Sequence, residues 1–217
     1  MFNTIIAALK PYQAKLVAVS KTKSEKEIMK LYDQGQRIFG ENRVQELLQK
    51  TENLPKDIEW HEIGHLQTNK ISYIAPFIDT VHAVDSLKVL KEINKEAQKH
   101  LRVIKCLLQF KIAQEETKFG LDEAEGNAIL LFLKENPMEH VRIVGVMGMA
   151  TFTDDMEQVR QEFKKLKGIF DQLKANWFAG DEAFCEISMG MSGDYEIALE
   201  EGATMVRIGT LLFGERE

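Results

Sequence analysis

Lys21 closes an apolar run, Leu16-Val-Ala-Val-Ser-Lys21, that reads as a short buried strand. An amine in that position is costly to desolvate, so burial lowers its proton affinity and leaves more of the nucleophilic neutral form. That form attacks aldehydes and makes Schiff bases. The alternative is a solvated loop lysine whose stem lies on apolar surface while its head reaches water. A second chemistry-bearing segment, Ser188-Met-Gly-Met-Ser192-Gly193-Asp194, follows a strand-like run and opens a helix. Glycines there let backbone N–H groups turn inward, and a helix N-terminus favours an anion. The backbone N–H of Met191 is a phosphate contact on this reading. Arg207-Ile-Gly209-Thr210 adds a further glycine, a hydroxyl and a guanidinium. Singly, each segment is an ordinary glycine turn; together, after successive strands, they read as a phosphate site. Arg207 has the strand parity to face the same place, with a surface acid as its alternative partner. It stays protonated at every working pH.

His61-Glu-Ile-Gly64-His65 matches the zinc-protease spacing H-E-x-x-H but not its context. That motif needs a helix, which brings positions i and i+4 to one face. Ile58, Trp60 and Ile63 follow a strand pattern here, and Gly64 breaks a helix. On a strand the two imidazoles stand about 13 Å apart, too far to share one zinc. No metal site is expected. His61 reads as a barrel-lining or core residue, and His65, at the loop, as one able to face the site. Met147, Met149, Met189 and Met191 read as core filler rather than as a cofactor box. Cys106 and Cys185 lie in apolar strand-like runs and are expected as two buried reduced thiols, with a disulfide or a metal pair as the alternative.

These groups need a scaffold. Strand-like runs are predicted over 16–20, 37–40, 59–64, 80–84, 103–110, 141–149, 183–189 and 205–208, with helical patterns between them. The clearest helix runs from Asp154 to Lys174, with Met156, Val159, Phe163, Leu166, Phe170 and Leu173 at spacings of three and four. Ser24 with Glu27, Asp122 with Glu125, and Asp154 with Glu157 have capping-box spacing. Strands and helices that alternate in this way predict a (β/α)8 TIM barrel, in a single domain over residues 1–217. Too few residues follow the last strand for a full closing helix, so the helix from about Phe2 to Lys10 is expected to help close the ring. Sites in this fold lie at the C-terminal ends of the strands. Those ends read Lys21, Glu41-Asn42, Gly64-His65, Asp85, Lys111, Met147 to Ala150, Met189 to Gly193, and Arg207 to Thr210.

The bulk numbers agree with a globular α/β protein. The chain has 217 residues, 44% of them hydrophobic and 29% charged, and a net charge of −6. Without a basic block, nucleic acid is not an expected partner. No apolar run approaches the length of a membrane span, and the first residues lack the pattern of a signal peptide. A cytoplasmic monomer is the expectation.

Several segments resemble one family. They are Leu16-Val-Ala-Val-Ser-Lys21-Thr-Lys23, Phe39-Gly-Glu-Asn42-Arg-Val-Gln-Glu46, Trp60-His-x-Ile-Gly64-x-Leu-Gln67-x-Asn-Lys70, Met189-Gly-Met-Ser192-Gly-Asp, and Met205-Val-Arg-Ile-Gly-Thr210 with Phe213-Gly214. Together these resemble the pyridoxal phosphate homeostasis proteins, stand-alone relatives of the alanine racemase N-terminal barrel. The resemblance implies a fold-type III barrel that holds pyridoxal 5'-phosphate as a Schiff base on Lys21. It places Asn42, Ser192, Gly209 and Thr210 near the cofactor and Arg207 at its ring nitrogen. It implies a role in vitamin B6 homeostasis without established catalytic activity, with apo pyridoxal phosphate enzymes as partners. Two departures stand out: a shorter N-terminal helix, and Ser24 where a proline is common. Lys118 resembles a family lysine that receives the cofactor transiently, with a surface lysine as the plain alternative.

A carrier competes with an enzyme, chiefly an amino-acid racemase, and more weakly with a class I aldolase. Two-base racemization needs a second acid/base opposite the lysine, which the alanine racemase relatives take from the tyrosine of an added domain. Tyr12, Tyr32, Tyr73 and Tyr195 are the chain's tyrosines, and none stands at the C-terminal end of a predicted strand. The expectation is therefore a carrier.

Overall fold

The computed structural model describes residues 1–114 and 119–214. Its strands are β1 (Lys15–Val19), β2 (Ile38–Glu41), β3 (Glu59–Glu62), β4 (Thr80–Val84), β5 (Ile104–Gln109), β6 (Val141–Met147), β7 (Glu186–Ser188) and β8 (Met205–Ile208). Each pairs in parallel with the next, and β8 pairs with β1 to close a barrel. Closure sets Val17 beside Arg207 and Ala18 beside Ile208, which brings the chain's first and last chemistry-bearing segments together.

Helices alternate with the strands: α1 (Phe2–Leu9), α2 (Glu25–Tyr32), α3 (Val44–Asn53), α4 (Thr68–Ile74), α5 (Leu87–Lys99), α6 (Glu123–Glu135), α7 (Met156–Asn176), α8 (Tyr195–Glu200) and α9 (Thr210–Phe213). Local chemistry marks their starts. Ser24 and Glu27 form a full capping box on α2, and Asp122 with Glu125 does the same on α6; each such cap stabilises its helix by about 1 kcal/mol. Ser24 is thus a working N-cap. The third predicted box is not formed. α7 starts one residue later than that box requires, and Asp155 caps it by accepting from the N–H groups of Glu157 and Gln158. α9 is only four residues long. α1 buries Phe2, Ile5 and Leu9 and packs beside β1, the closing strand.

The main core lies between barrel and helices. Phe39 and Trp60 face outward from β2 and β3, and Ile28, Leu47, Ile74, Leu90, Ile93, Phe163 and Leu166 meet the barrel from the helix side. Burial of each such side chain contributes roughly 1.5–3 kcal/mol, so this layer holds the strand ends in place. A smaller interior cluster of Val17, Ile63 and Met205 fills part of the barrel itself. β7 is shorter than the predicted 183–189 run, and this corrects one expectation: Cys185 precedes the strand and is exposed, whereas Cys106 on β5 is buried. Both thiols are free. No helix among the described residues is long and apolar enough to cross a membrane.

Candidate functional site at the C-terminal mouth

A cavity of about 530 Å³ opens at the C-terminal ends of the strands, and Lys21, Asn42, Met191, Ser192, Arg207, Gly209 and Thr210 all line it. Val19 and Ile63 form part of its apolar wall, and the loop between β6 and α7 supplies the rest, including Met149, Phe152 and Asp154. Larger and comparable hollows exist elsewhere, but the 720 Å³ one lies on the outer face of α6 and α7, away from every strand C-terminus. Fold geometry favours the mouth.

Lys21 is half-buried, two residues beyond β1. A buried polar cluster fixes the turn that carries it. Ser20 Oγ donates to Glu41 Oε1 at 2.6 Å, and Lys50 Nζ from α3 donates to Glu41 Oε1 at 2.6 Å and to the Ser20 carbonyl at 2.7 Å. Burial drives Glu41's proton affinity up, while Lys50 and Ser20 oppose it. Thr22 then adopts φ +64°, a left-handed conformation costly for a β-branched residue. Its N–H donates to Glu46 Oε2 at 2.8 Å. Glu41, which sequence order placed at the mouth, therefore faces the helix layer and serves the Lys21 turn from behind.

Asn42 follows β2, and its Oδ1 is buried with no hydrogen-bond partner among the described residues. Gly64 presses against it, since a Cβ at Gly64 would lie 2.7 Å from the Asn42 carbonyl oxygen. The Gly64 N–H donates to Glu62 Oε1 at 2.9 Å. Glu62 is itself buried, and desolvation, with Glu41's charge adding and the Gly64 N–H opposing, pushes its carboxyl up to about 8.

Across the cavity, Gly190 has φ +89°, and a Cβ there would meet the Ala198 side chain at 2.6 Å. Only glycine lets the chain turn this tightly over α8. The Met191 N–H, expected to face a phosphate, donates to Asp194 Oδ1 at 2.5 Å. Gly209 forms the N-cap of α9, beside Thr210. Between the two sides lies Arg207, 4% exposed. Its Nη1 donates to Ser188 Oγ at 2.6 Å and its Nη2 to the Gly148 carbonyl at 3.0 Å. Burial lowers its pKa to about 10, with Asp194 opposing, so it remains a cation at neutral pH.

Other expectations resolve differently. His61 lies inside the barrel on β3 at 1% exposure. His65 does not line the cavity; its Nδ1 lies 3.1 Å from Asp85 Oδ2 and its ring stacks on Phe119. Met147 and Met189 are core, as expected, whereas Met149 and Met191 line the cavity. None of the four tyrosines lines it. Lys118 lies outside the described residues. Glu59, His61 and Asp79 place ligand-type atoms within 4.8 Å of one another, but at the opposite, N-terminal mouth, where Lys105 already pairs with Asp79. Sequence reasoning missed the groups under Arg207, namely Ser188, His82 and the Gly148 carbonyl. The signal was available in β4, where a lone histidine interrupts the strand Thr-Val-His-Ala-Val.

Comparison with known proteins gives a consistent picture. The profile of the family described as alanine racemase, N-terminal domain, matches residues 2–217. The pyridoxal phosphate homeostasis protein of Aquifex aeolicus (strain VF5) is 41% identical over 205 residues, covering 94% of this chain and 88% of that protein. Its counterpart in Vibrio alginolyticus is 36% identical over 212 residues, covering 95% and 88%. Among solved structures, PipY of Synechococcus elongatus PCC7942 with PLP bound superposes with a TM-score of 0.85 at 33% identity, covering 99% of this chain and 100% of that one. Alanine racemase from Bartonella henselae shares the fold at a TM-score of 0.70 and 19% identity, covering 99% and 57%. A profile match along the chain, and close relatives that align over most of their own length, show that this protein belongs to the pyridoxal phosphate homeostasis protein family, built on the barrel of the alanine racemase N-terminal domain.

Proposed function

We propose that the protein binds pyridoxal 5'-phosphate in the C-terminal mouth, as a Schiff base on Lys21, and acts as an intracellular carrier of the cofactor rather than as an enzyme. The observation that carries this reading is the convergence on one cavity of an amine, two glycine-hydroxyl turns and a buried guanidinium. PipY, similar along its full length, was crystallised with the cofactor bound. The residues fit the group. The volume lies within the usual range for a small-molecule site. The orphaned Asn42 Oδ1 is a polar atom in want of a partner, and a buried atom of that kind carries a desolvation cost that a ligand relieves.

When bound, pyridoxal phosphate supplies an aldehyde for the amine and a ring that withdraws electrons. The chain's residues do the rest. Ser20, Glu41 and Lys50 hold the turn that presents Lys21. Ser192 and Thr210 offer hydroxyls to a phosphate, with the Gly209 backbone beside them. Binding there would compete with Asp194 for the Met191 N–H. Arg207, held by Ser188 and Gly148, faces the ring nitrogen as a donor and discourages protonation of that nitrogen, which weakens the ring as an electron sink.

The carrier reading draws support from the same lining. Besides Lys21 and Arg207, its ionisable side chains among the described residues are Asp154 and Asp194; it presents no histidine, cysteine or tyrosine. Phe152 and Met191 are exposed at the rim, an open arrangement suited to loading and release. The cavity is complete within one chain, which suits a monomer, and the free thiols suit the reducing cytoplasm.

The test starts from a visible absorption band in the protein incubated with cofactor, followed by borohydride reduction and mass mapping of the adduct. The adduct is expected on Lys21, and an adduct confined to other lysines overturns the assignment. Loaded protein is then incubated with amino acids in deuterated water. Cα exchange near ~10 per second, the usual enzyme median, would establish the racemase reading instead. Mixed with an apo pyridoxal phosphate enzyme, a carrier transfers cofactor faster than free release allows.

A further inference from the structure

Below the cavity, the barrel axis carries polar side chains where this fold ordinarily stacks branched apolar ones. Ser188, His61, His82 and Arg207 come from β7, β3, β4 and β8, and each is at most 4% exposed. They form a continuous line. Arg207 Nη1 lies 2.6 Å from Ser188 Oγ, which lies 2.9 Å from His82 Nδ1. His82 Nε2 lies 2.8 Å from His61 Nδ1. His61 Nε2 lies 3.7 Å from Asp79 Oδ1 at the N-terminal mouth, beyond hydrogen-bond distance but facing it.

Proton counting gives the line a direction. A guanidinium can only donate, and a carboxylate can only accept. Asp79 is a carboxylate: burial opposes ionisation, but the His61 ring facing it, the Thr80 hydroxyl that donates to it and the charge of Lys105 hold it well below the usual range. With one proton on each imidazole, three protons stand between these ends, the third on the Ser188 hydroxyl. One arrangement fills every link. Ser188 accepts from Arg207 and donates to His82 Nδ1; His82 Nε2–H donates to His61 Nδ1; His61 Nε2–H faces Asp79. The reverse arrangement sets a lone pair of His61 against the Asp79 carboxylate and leaves the Ser188 proton without a place in the line. Burial first, with the Arg207 charge beside it and Asp79 opposing, holds the proton affinity of His82 well below the ordinary imidazole value and keeps it neutral.

We propose that Ser188 and His82 are positioning residues for Arg207. His82, held as the neutral Nε2–H tautomer by His61 and Asp79, takes the serine proton and so turns the hydroxyl into an acceptor aimed at the guanidinium. With the Gly148 carbonyl as second acceptor, this fixes the Arg207 plane in the cavity wall and leaves its remaining donors for the bound ring. The inference rests on the reading that the cavity takes pyridoxal phosphate with Arg207 beside the ring nitrogen.

The test has two arms. The first uses the protein without cofactor, labelled with ¹⁵N-histidine, and long-range ¹H–¹⁵N correlation spectra. His82 is expected as the neutral Nε2–H tautomer across neutral pH, and its Nδ1 signal is expected to move when Ser188→Ala removes the donor. An Nδ1–H tautomer or a cationic His82 overturns the proposal. The second arm loads wild type, Ser188→Ala, His82→Gln and Ser188→Thr with pyridoxal phosphate. It reads the pH midpoint of the visible band together with the melting temperature and the borohydride adduct. Ser188→Ala and His82→Gln are expected to move the midpoint by roughly one pH unit, a tenfold change in the equilibrium, and Ser188→Thr to restore it. An unchanged midpoint in both variants, with the adduct still on Lys21, overturns the positioning role alone. Absence of a band and of a Lys21 adduct in wild type overturns the cofactor reading and the proposal with it.

Discussion

Glu62→Gln is expected to stabilise the protein increasingly as pH rises. Glu62 is 1% exposed, its Oε1 accepts from the Gly64 N–H, and its Oε2 has no partner among the described residues. Its carboxyl, ordinarily near 4.5, is pushed up to about 8, so the folded chain keeps the proton at neutral pH. The unfolded chain does not. Between these two values unfolding releases a proton, and wild-type stability falls by about 1.4 kcal/mol per pH unit. The contribution is whole below the unfolded value and is lost as pH rises through the folded one. By neutral pH the loss amounts to about 3 kcal/mol, an order-of-magnitude figure. Glutamine keeps the acceptor for Gly64 and has no proton to lose. Urea unfolding of both proteins through this pH range should give a difference that is constant at the acid end. It should climb at about 1.4 kcal/mol per unit and level off above the folded value. A difference that stays flat throughout would refute a buried, protonated Glu62. Because Gly64 abuts Asn42, the same variant reports whether this carboxyl supports the cavity wall: cofactor affinity should stay near wild type.

Three further outcomes are expected. Ser192→Ala and Thr210→Val each remove a hydroxyl from the cavity and should weaken pyridoxal phosphate roughly tenfold to a hundredfold relative to pyridoxal; unchanged preference in titrations of both variants places the phosphate elsewhere. Lys50→Met strands the buried Glu41 and should cost about 3–5 kcal/mol in denaturant unfolding, while Lys50→Met with Glu41→Gln should recover much of that. Gly64→Ala brings a methyl against the Asn42 backbone and should lower cofactor affinity by about tenfold, roughly 1.4 kcal/mol; unaltered affinity would mean that Asn42 can shift without consequence.

Much of this protein was determined by its sequence alone. Alternating strand and helix periodicities specify the closed eight-stranded ring, because each apolar face has to be covered by the next element. The mouth was legible because barrel topology assigns strand C-termini to one end; that ring held Lys21, Asn42, Met191, Ser192, Arg207, Gly209 and Thr210, which line the cavity, but also Glu41, His65, Asp85 and Lys111, which do not, and the family resemblance was needed to single out Asn42. Capping chemistry was legible at Ser24 and Asp122 because those hydrogen bonds are local. It failed at Asp154, because the helix starts one residue later and Asp155 takes the cap. Cys185 was misjudged because strand length depends on neighbours, and β7 has only three residues between its partners. Only the tertiary structure could decide that Glu41 turns away from the mouth to join Lys50 behind Lys21, or that Asp194 takes the Met191 N–H. The line from Arg207 through Ser188 and His82 to His61 links four strands far apart in sequence. Its members meet only because the sheet closes on itself, and closure is a property of the whole ring that no local segment encodes.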